Sequence, residues 1–167
     1  HQAIKEAGDR LKIEGITMDG IIEAVSAIEN EAVFGVQFHP EFFADYSDFV
    51  ADMVKDLAES VKIAEKAGIS REKIMIDPGV GFAKSYEQNL MAISNVEALH
   101  QLGLPVLLAT SRKSVIGLAL DLPKDQRMEG TLATTVMGVM KGCSFVRVHD
   151  VKENKRAILM AEAILGR

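Results

Sequence analysis

Tryptophan is absent from this 167-residue chain, and cysteine occurs once, at Cys143. A single thiol excludes an intramolecular disulfide, and four histidines at scattered positions add no zinc-ligand spacing to it. No apolar run approaches the roughly 20 residues that a bilayer demands. The amino end also lacks the basic stretch and apolar stretch of a secretory signal. These absences predict a cytoplasmic protein with no membrane partner and no structural metal. Cationic surplus is missing too: the net charge is -5 and the pI is near 5.4. That argues against a general nucleic-acid surface, while local basic clusters remain free to hold a small phosphorylated ligand. What is present is 48% hydrophobic and 26% charged residues, a globular balance with enough length for one ordinary core.

The chain opens on His1, and residues 1–10 run straight into an alternating segment without a cap or linker, so the chain is expected to begin inside a domain. Leu11 to Thr17, Ile21 to Ile28 and Val33 to Phe38 are short β-like runs separated by Asp19-Gly20 and Glu29-Asn30-Glu31, which predicts antiparallel hairpins. An organisational break is expected near Phe43 to Asp45. Beyond it, Val50, Met53, Val54, Leu57, Val61 and Ala64 follow helical spacing from Asp45 to Ala67, with Gly68 as the stop. Lys73 to Asp77 reads as a strand. Ser85 and Gln88 then have capping-box spacing ahead of a helix carrying Leu90, Ile93, Val96 and Leu99. The pattern recurs with a strand at Pro105 to Thr110, a polar loop and a helix from about Arg127 to Lys141. It recurs again with a strand at Ser144 to Asp150 and a last helix bearing Ile158, Leu159, Ala161 and Leu165. Three successive strand-to-helix units with continuous apolar strands predict an α/β fold with a parallel sheet covered by helices. In such folds functional residues gather at the carboxyl ends of the strands.

Three strand ends carry chemistry. Asp77-Pro78-Gly79-Val80-Gly81-Phe82 places an acid before glycines that let the backbone come close to a ligand, suiting a flat, amino-rich ring. The same residues also suit a strand-terminating turn whose acid caps loop amides. Ser111-Arg112-Lys113-Ser114 offers two cations and two hydroxyls to an anionic or polar ligand, or else forms a solvated loop. In Phe145-Val146-Arg147-Val148-His149-Asp150 the two-residue strand period puts Arg147 and His149 on one face and Val146 and Val148 on the other. An arginine there needs a partner, either a ligand or an internal salt bridge with Asp77 or Glu129.

Taken in order, the first motif continued through Ala83-Lys84 with Asn89 downstream, then Ser-Arg-Lys-Ser, Arg127 with Glu129-Gly130-Thr131, and Arg-Val-His-Asp-Val resemble the dihydropteroate synthases over about residues 45 to 167. The resemblance implies the last three βα units of a (β/α) TIM barrel that binds pterins. It implies that Asp77 binds the pterin ring, that Lys113 lies near pterin and para-aminobenzoate, and that Phe82 and Ser114 border the para-aminobenzoate pocket. Arg147 and His149 would hold the diphosphate leaving group, making Lys113, Arg147 and His149 the catalytic set. The implied reaction joins a dihydropterin diphosphate to para-aminobenzoate with release of pyrophosphate, assisted by Mg2+ whose protein ligand is not visible in this chain, and sulfonamides are expected competitors. Since a whole barrel needs about 250 residues, the isolated chain is expected to show little or no synthase activity. The missing strands would come through homo-oligomerisation or from a partner chain.

Residues 1–43 instead resemble the tail of a class I glutamine amidotransferase or γ-glutamyl hydrolase. The similarity lies in His1-Gln2-Ala3-Ile4, Asp19-Gly20-Ile21-Ile22-Glu23-Ala24 and Phe34-Gly35-Val36-Gln37-Phe38-His39-Pro40-Glu41. That likeness implies a base at His39 and an orienting acid at Glu41 in a Cys-His-Glu triad. No upstream cysteine is present, and Cys143 is expected to be a buried small residue. Two partial domains, 1–43 and 44–167, are therefore expected. Beside the transferase stand a glutamine-hydrolysing remnant and a non-catalytic chimeric scaffold.

Overall fold

The structure is a computed structural model that describes residues 48–167 and, nearer the amino end, the backbone of residues 11–16, 22–27 and 34–36. His39, Glu41 and the expected break near Ala44 lie outside the described residues. Strands β1 (Leu11–Ile16), β2 (Ile22–Ala27) and β3 (Phe34–Val36) form an antiparallel sheet in that order. Leu11 pairs with Ala27, and the register slips on either side of Gly15. This sheet is separate from the parallel one that carries the candidate site.

Helix α1 (Phe49–Lys66) follows from the three-and-four spacing of its apolar residues, which buries Phe49, Met53, Val54, Val61 and Ala64. The helix ends where the amides of Ala67, Gly68 and Ile69 turn back onto the carbonyls of Ile63, Glu65 and Ala64. A strand is expected from Lys73, but the chain instead makes a 3-10 turn over Arg71–Lys73 and reaches the sheet only at Ile76. The turn is held by Arg71, whose guanidinium bonds Glu65 at 2.9 Å and also the carbonyl of Leu102. Ile76 forms a parallel bridge with Val106, its amide donating to Pro105 and its carbonyl accepting from Leu107.

Helix α2 (Tyr86–Ser94) starts on the expected capping box. Ser85 Oγ accepts the Gln88 amide at 3.2 Å, and Gln88 Oε1 accepts the Ser85 amide at 2.8 Å. A 3-10 stretch, Val96–Leu102, continues it and buries Val96 and Leu99. Strands β4 (Leu107–Leu108) and β5 (Phe145–Val146) pair in parallel, Leu107 opposite Phe145, and the Arg147 amide extends the ladder to Leu108. The ladders are therefore shorter than the apolar runs, while their order along the chain and parallel sense agree with the expectation.

Helix α3 (Ser114–Leu120) occupies what reads in the sequence as polar loop; Val115 and Ile116 anchor it in the core, and Asp121 ends it in the left-handed region. After a 3-10 turn at Lys124–Gln126, helices α4 (Met128–Met140) and α5 (Val151–Leu165) pack against each other. Their contact contains a polar couple: Thr135 Oγ1 donates to Asn154 Oδ1 at 2.7 Å, and Asn154 Nδ2 donates to the Asp150 carbonyl at 2.8 Å. Asn154 is fully buried. The core runs through Phe49, Ile76, Val80, Leu99, Val106 and Leu108, each such side chain contributing about 1.5–3 kcal/mol by leaving water. No helix among the described residues is long and apolar enough to cross a membrane.

Candidate functional site

The three parallel segments end side by side, so the loops that follow Ile76, β4 and β5 share one mouth. Asp77 is the first residue past the Ile76 bridge. Its Oδ1 accepts the Gly79 amide at 2.6 Å, so the acid does cap its own turn. Burial pushes the Asp77 carboxyl above the usual range, and the Gly79 amide, Lys113, Lys84 and Arg147 pull the other way. The capping and ligand readings of this acid are compatible, because Oδ2 has no hydrogen-bond partner among the described residues.

The loop from Gly79 to Phe82 is shaped by two residues not singled out as site residues in the sequence. Buried Asn89 accepts the Gly81 amide at 2.5 Å and donates to the carbonyls of Lys84 and Ser85. Lys84 Nζ donates to the Gly79 carbonyl at 3.1 Å, and burial pushes its pKa down to about 8. Gly81 has φ 82° and lies under Lys113: a Cβ there would sit 3.0 Å from the lysine's Cδ.

Lys113 leaves the β4 loop, donates to the Val80 carbonyl, and carries its ammonium 4.7 Å from the centre of the Phe82 ring. Burial lowers its pKa; Asp77 opposes this and Arg147 adds to it. Phe82 is 43% exposed and Ser114 is exposed at the start of α3. The structure thus brings Asp77, Phe82 and Lys113 together as expected. The other cation of that motif differs: Arg112 is clasped by Asp150, with Nη2 to Oδ1 at 2.6 Å and Nε to Oδ2 at 3.2 Å. Arg127 is likewise occupied, donating to the carbonyls of Leu122, Arg112 and Lys113. It lies across Gly117, where a Cβ would come within 2.1 Å of Nη2.

Past β5 the burial alternates as the strand period requires: Val146 and Val148 are half-buried, while Arg147 and His149 are exposed. No ion pair joins Arg147 to Asp77 or Glu129 among the described residues. Buried Ser111 lies beside His149, with Oγ 2.9 Å from Nδ1. The resulting mouth, about 650 Å³, is lined by Phe82, Ser111, Arg112, Lys113, Ser114, Lys124, Arg127, Arg147 and His149 and, among the described residues, by no acid. Lys124 has no motif signal; it reaches the rim only because the 3-10 turn after α3 brings it there. A second cavity of about 260 Å³ adjoins it, lined by apolar residues of α1 together with Asp77, Gly79, Phe82 and Arg147. A basic, open mouth beside an apolar slot ending in an acid suits a flat heterocycle bearing an anionic tail.

Residues 33–149 match the family described as pterin binding enzyme, well over half of the chain. The chain belongs to that family. Among relatives of this chain, the dihydropteroate synthase of Clostridium beijerinckii is 55% identical over 124 residues, which is 74% of this chain and 46% of that protein. The dihydropteroate synthase of Bacillus subtilis is 46% identical over 155 residues, 93% of this chain and 54% of that protein. This chain therefore spans about half the length of the curated relatives it matches. Among solved structures, a Clostridium difficile dihydropteroate synthase in the presence of pteroic acid is 42% identical with a TM-score of 0.72, covering 77% of this chain and 49% of that one. A Yersinia pestis dihydropteroate synthase in complex with a sulfonamide drug is 34% identical with a TM-score of 0.71, covering 77% and 46%. At the amino end, residues 1–41 match the peptidase C26 family, overlapping the pterin-binding match over 33–41.

Among the described residues no cluster of three or more His, Cys, Asp or Glu side chains is placed to hold a metal ion. Asp77 is a poor magnesium ligand here, since its Oδ1 is capped and Lys84 and Lys113 act on it electrostatically. The described residues do not fit Mg2+.

Proposed function

We propose that this chain carries the carboxyl-terminal share of a dihydropteroate synthase site, built on the last three βα units of a (β/α) barrel. The observation that carries the reading is the convergence, at adjacent parallel strand ends, of an acid beside an apolar slot and of a basic mouth that holds an unpaired Arg147 and no acid among the described residues. Asp77 accepts hydrogen bonds from the amino and ring N–H groups of a dihydropterin. Lys113 sits between that ring and para-aminobenzoate, whose pocket Phe82 and Ser114 border. Arg147 and His149 receive the diphosphate. The arylamine nitrogen attacks the exocyclic methylene carbon; the new C–N bond forms as the C–O bond breaks, the electron pair leaves on diphosphate, and the ammonium proton passes to solvent. Arg147 and His149 stabilise charge that grows on the departing oxygen, so the binding groups are also the catalytic ones. A folate-pathway role goes with a cytoplasmic location, and sulfonamides compete with the arylamine.

Calorimetric titration of the chain with a dihydropterin diphosphate tests this. Saturable binding that Arg147→Ala weakens at least ten-fold is expected. Undiminished heat in that variant sinks the assignment of the diphosphate site, and no heat in either protein sinks the whole reading.

Exposed Met140, Val151, Met160 and Ile164 on α4 and α5 support self-association. A second reading, favoured by the peptidase C26 match, takes residues 1–43 as an amidotransferase-like unit beside a pterin-binding unit of residues 44–167. In it Cys143 is a poor nucleophile for His39 and Glu41, being half-buried with a thiol that burial pushes up to about 11. Ammonia release from glutamine decides this, and none is expected.

A further inference from the structure

Ser111 is 6% exposed on the loop after β4, and its hydroxyl meets His149 twice. The His149 amide donates to Ser111 Oγ at 3.1 Å, and the same oxygen lies 2.9 Å from His149 Nδ1. A serine hydroxyl has one proton to give and two lone pairs to receive. The amide contact uses a lone pair. The ring contact is therefore either a donation from the hydroxyl to Nδ1 or a donation from Nδ1–H to the hydroxyl.

Hydrogen-bond accounting decides between them. Ser111 Oγ is nearly buried and has no other acceptor within reach among the described residues, so the second arrangement would leave its proton without a protein partner. The first satisfies both the hydroxyl and Nδ1. It requires a bare Nδ1, which puts the neutral ring's proton on Nε2. That nitrogen has no partner among the described residues, and His149 lines the basic mouth. An oxyanion only accepts hydrogen bonds, so this tautomer offers it a donor, whereas the other would offer a lone pair.

We propose that Ser111 is a positioning residue that pins the imidazole of His149 at Nδ1 and presents Nε2–H to a phosphate-type oxyanion. The consequence for ligands rests on the diphosphate reading above; the tautomer itself does not. Ser111 borders the mouth, and the role assigned to it here is exercised through His149. Its place at the end of β4, one strand over from His149, explains why a serine is needed ahead of the Arg112-Lys113 pair.

Nitrogen NMR of the full chain with 15N-labelled histidine tests this at alkaline pH, where imidazole is neutral, with His149→Gln assigning the signals. In the unmodified chain His149 should show a pyridine-like Nδ1 and a pyrrole-like Nε2. Ser111→Ala should move both toward a tautomer mixture, and Ser111→Thr, which keeps the hydroxyl, should restore them. In parallel, calorimetry with inorganic pyrophosphate should show about five-fold weaker binding for Ser111→Ala, the share of one hydrogen bond, and recovery for Ser111→Thr. A pyrrole-like Nδ1 in the unmodified chain overturns the proposal, and so do unchanged shifts in a folded Ser111→Ala. If pyrophosphate fails to bind the unmodified chain, the diphosphate reading falls, while the nitrogen shifts still decide the role of Ser111.

Discussion

Arg127 and Arg147 border the same basic mouth and use their guanidinium groups in opposite ways. Arg127 is turned inward, its donors taken by the carbonyls of Leu122, Arg112 and Lys113. Arg147 is exposed, with no ion pair and no hydrogen-bonded acceptor among the described residues. One arginine shapes the loop that carries Lys113; the other is left for whatever anion arrives. Arg112 falls with the first class because Asp150 clasps it through two oxygens. Cation count alone therefore overstates how much charge the mouth offers a ligand.

The comparison breaks most readily at Arg127. Replacing it with alanine strands the carbonyls of Leu122 and Arg112, that of Lys113 still accepting from the Ile116 and Gly117 amides, and empties the space over Gly117, so Arg127→Ala should lose about 2–3 kcal/mol of stability, read from the urea midpoint. Gly117→Ala should reproduce much of that loss by evicting the guanidinium; a stability close to the parent's would show that Arg127 is not a clamp. Arg147→Ala should do the reverse, weakening pyrophosphate binding about ten- to a hundred-fold while the urea midpoint stays within about 0.5 kcal/mol. Loss of stability there would put both arginines in one class.

Smaller effects come from the groups between them. Burial raises the Asp77 pKa above its unfolded value, so its ionised form weighs against folding, and stability from this group falls as pH rises through the raised value. Asp77→Asn should therefore flatten the stability profile on the acid side and raise the neutral-pH midpoint, while pterin binding disappears in calorimetry. Lys84 has the opposite sign. Its folded pKa of about 8 lies below the unfolded value, so between about 8 and 10.5 the unfolded chain holds more protons and stability rises with pH. Lys84→Met should abolish that rise in urea titrations across the window, and a rise that persists would assign it elsewhere.

The elements that could be read from the sequence are those whose signals are local. The spacing from Val50 to Ala64 dictated α1, and Ser85 with Gln88 dictated the start of α2, because both signals act within one or two turns. Helix α3 was missed because Val115 to Leu120 is too short to show a period and follows a charged tripeptide. The apolar runs overstate the strands: a run such as Lys73 to Asp77 reports burial, whereas a ladder needs a neighbour, which is a fact about distant residues. The site followed the same division. The alternation of Arg147 and His149 against Val146 and Val148 was legible, as was the place of Asp77 and Lys113 at strand ends. Which cations were already partnered was not, since Arg112 meets Asp150 38 residues away. Lys84, Asn89, Ser111 and Lys124 carry no individual role in the sequence for the same reason, although the first three stand within the quoted motifs.

The amide of Asn154, sealed between α4 and α5, gives the mouth a distant anchor. Because that amide is bonded to Thr135 on one side and to the Asp150 carbonyl on the other, sliding one helix along its neighbour would strand a polar group in an apolar seam. Asp150 in turn grips Arg112, so the seam behaves as a strut whose far end sets where the β4 loop can sit. Thr135 should accordingly tolerate little change in a screen that scores only ligand capture, even though it borders neither the mouth nor the slot beside it.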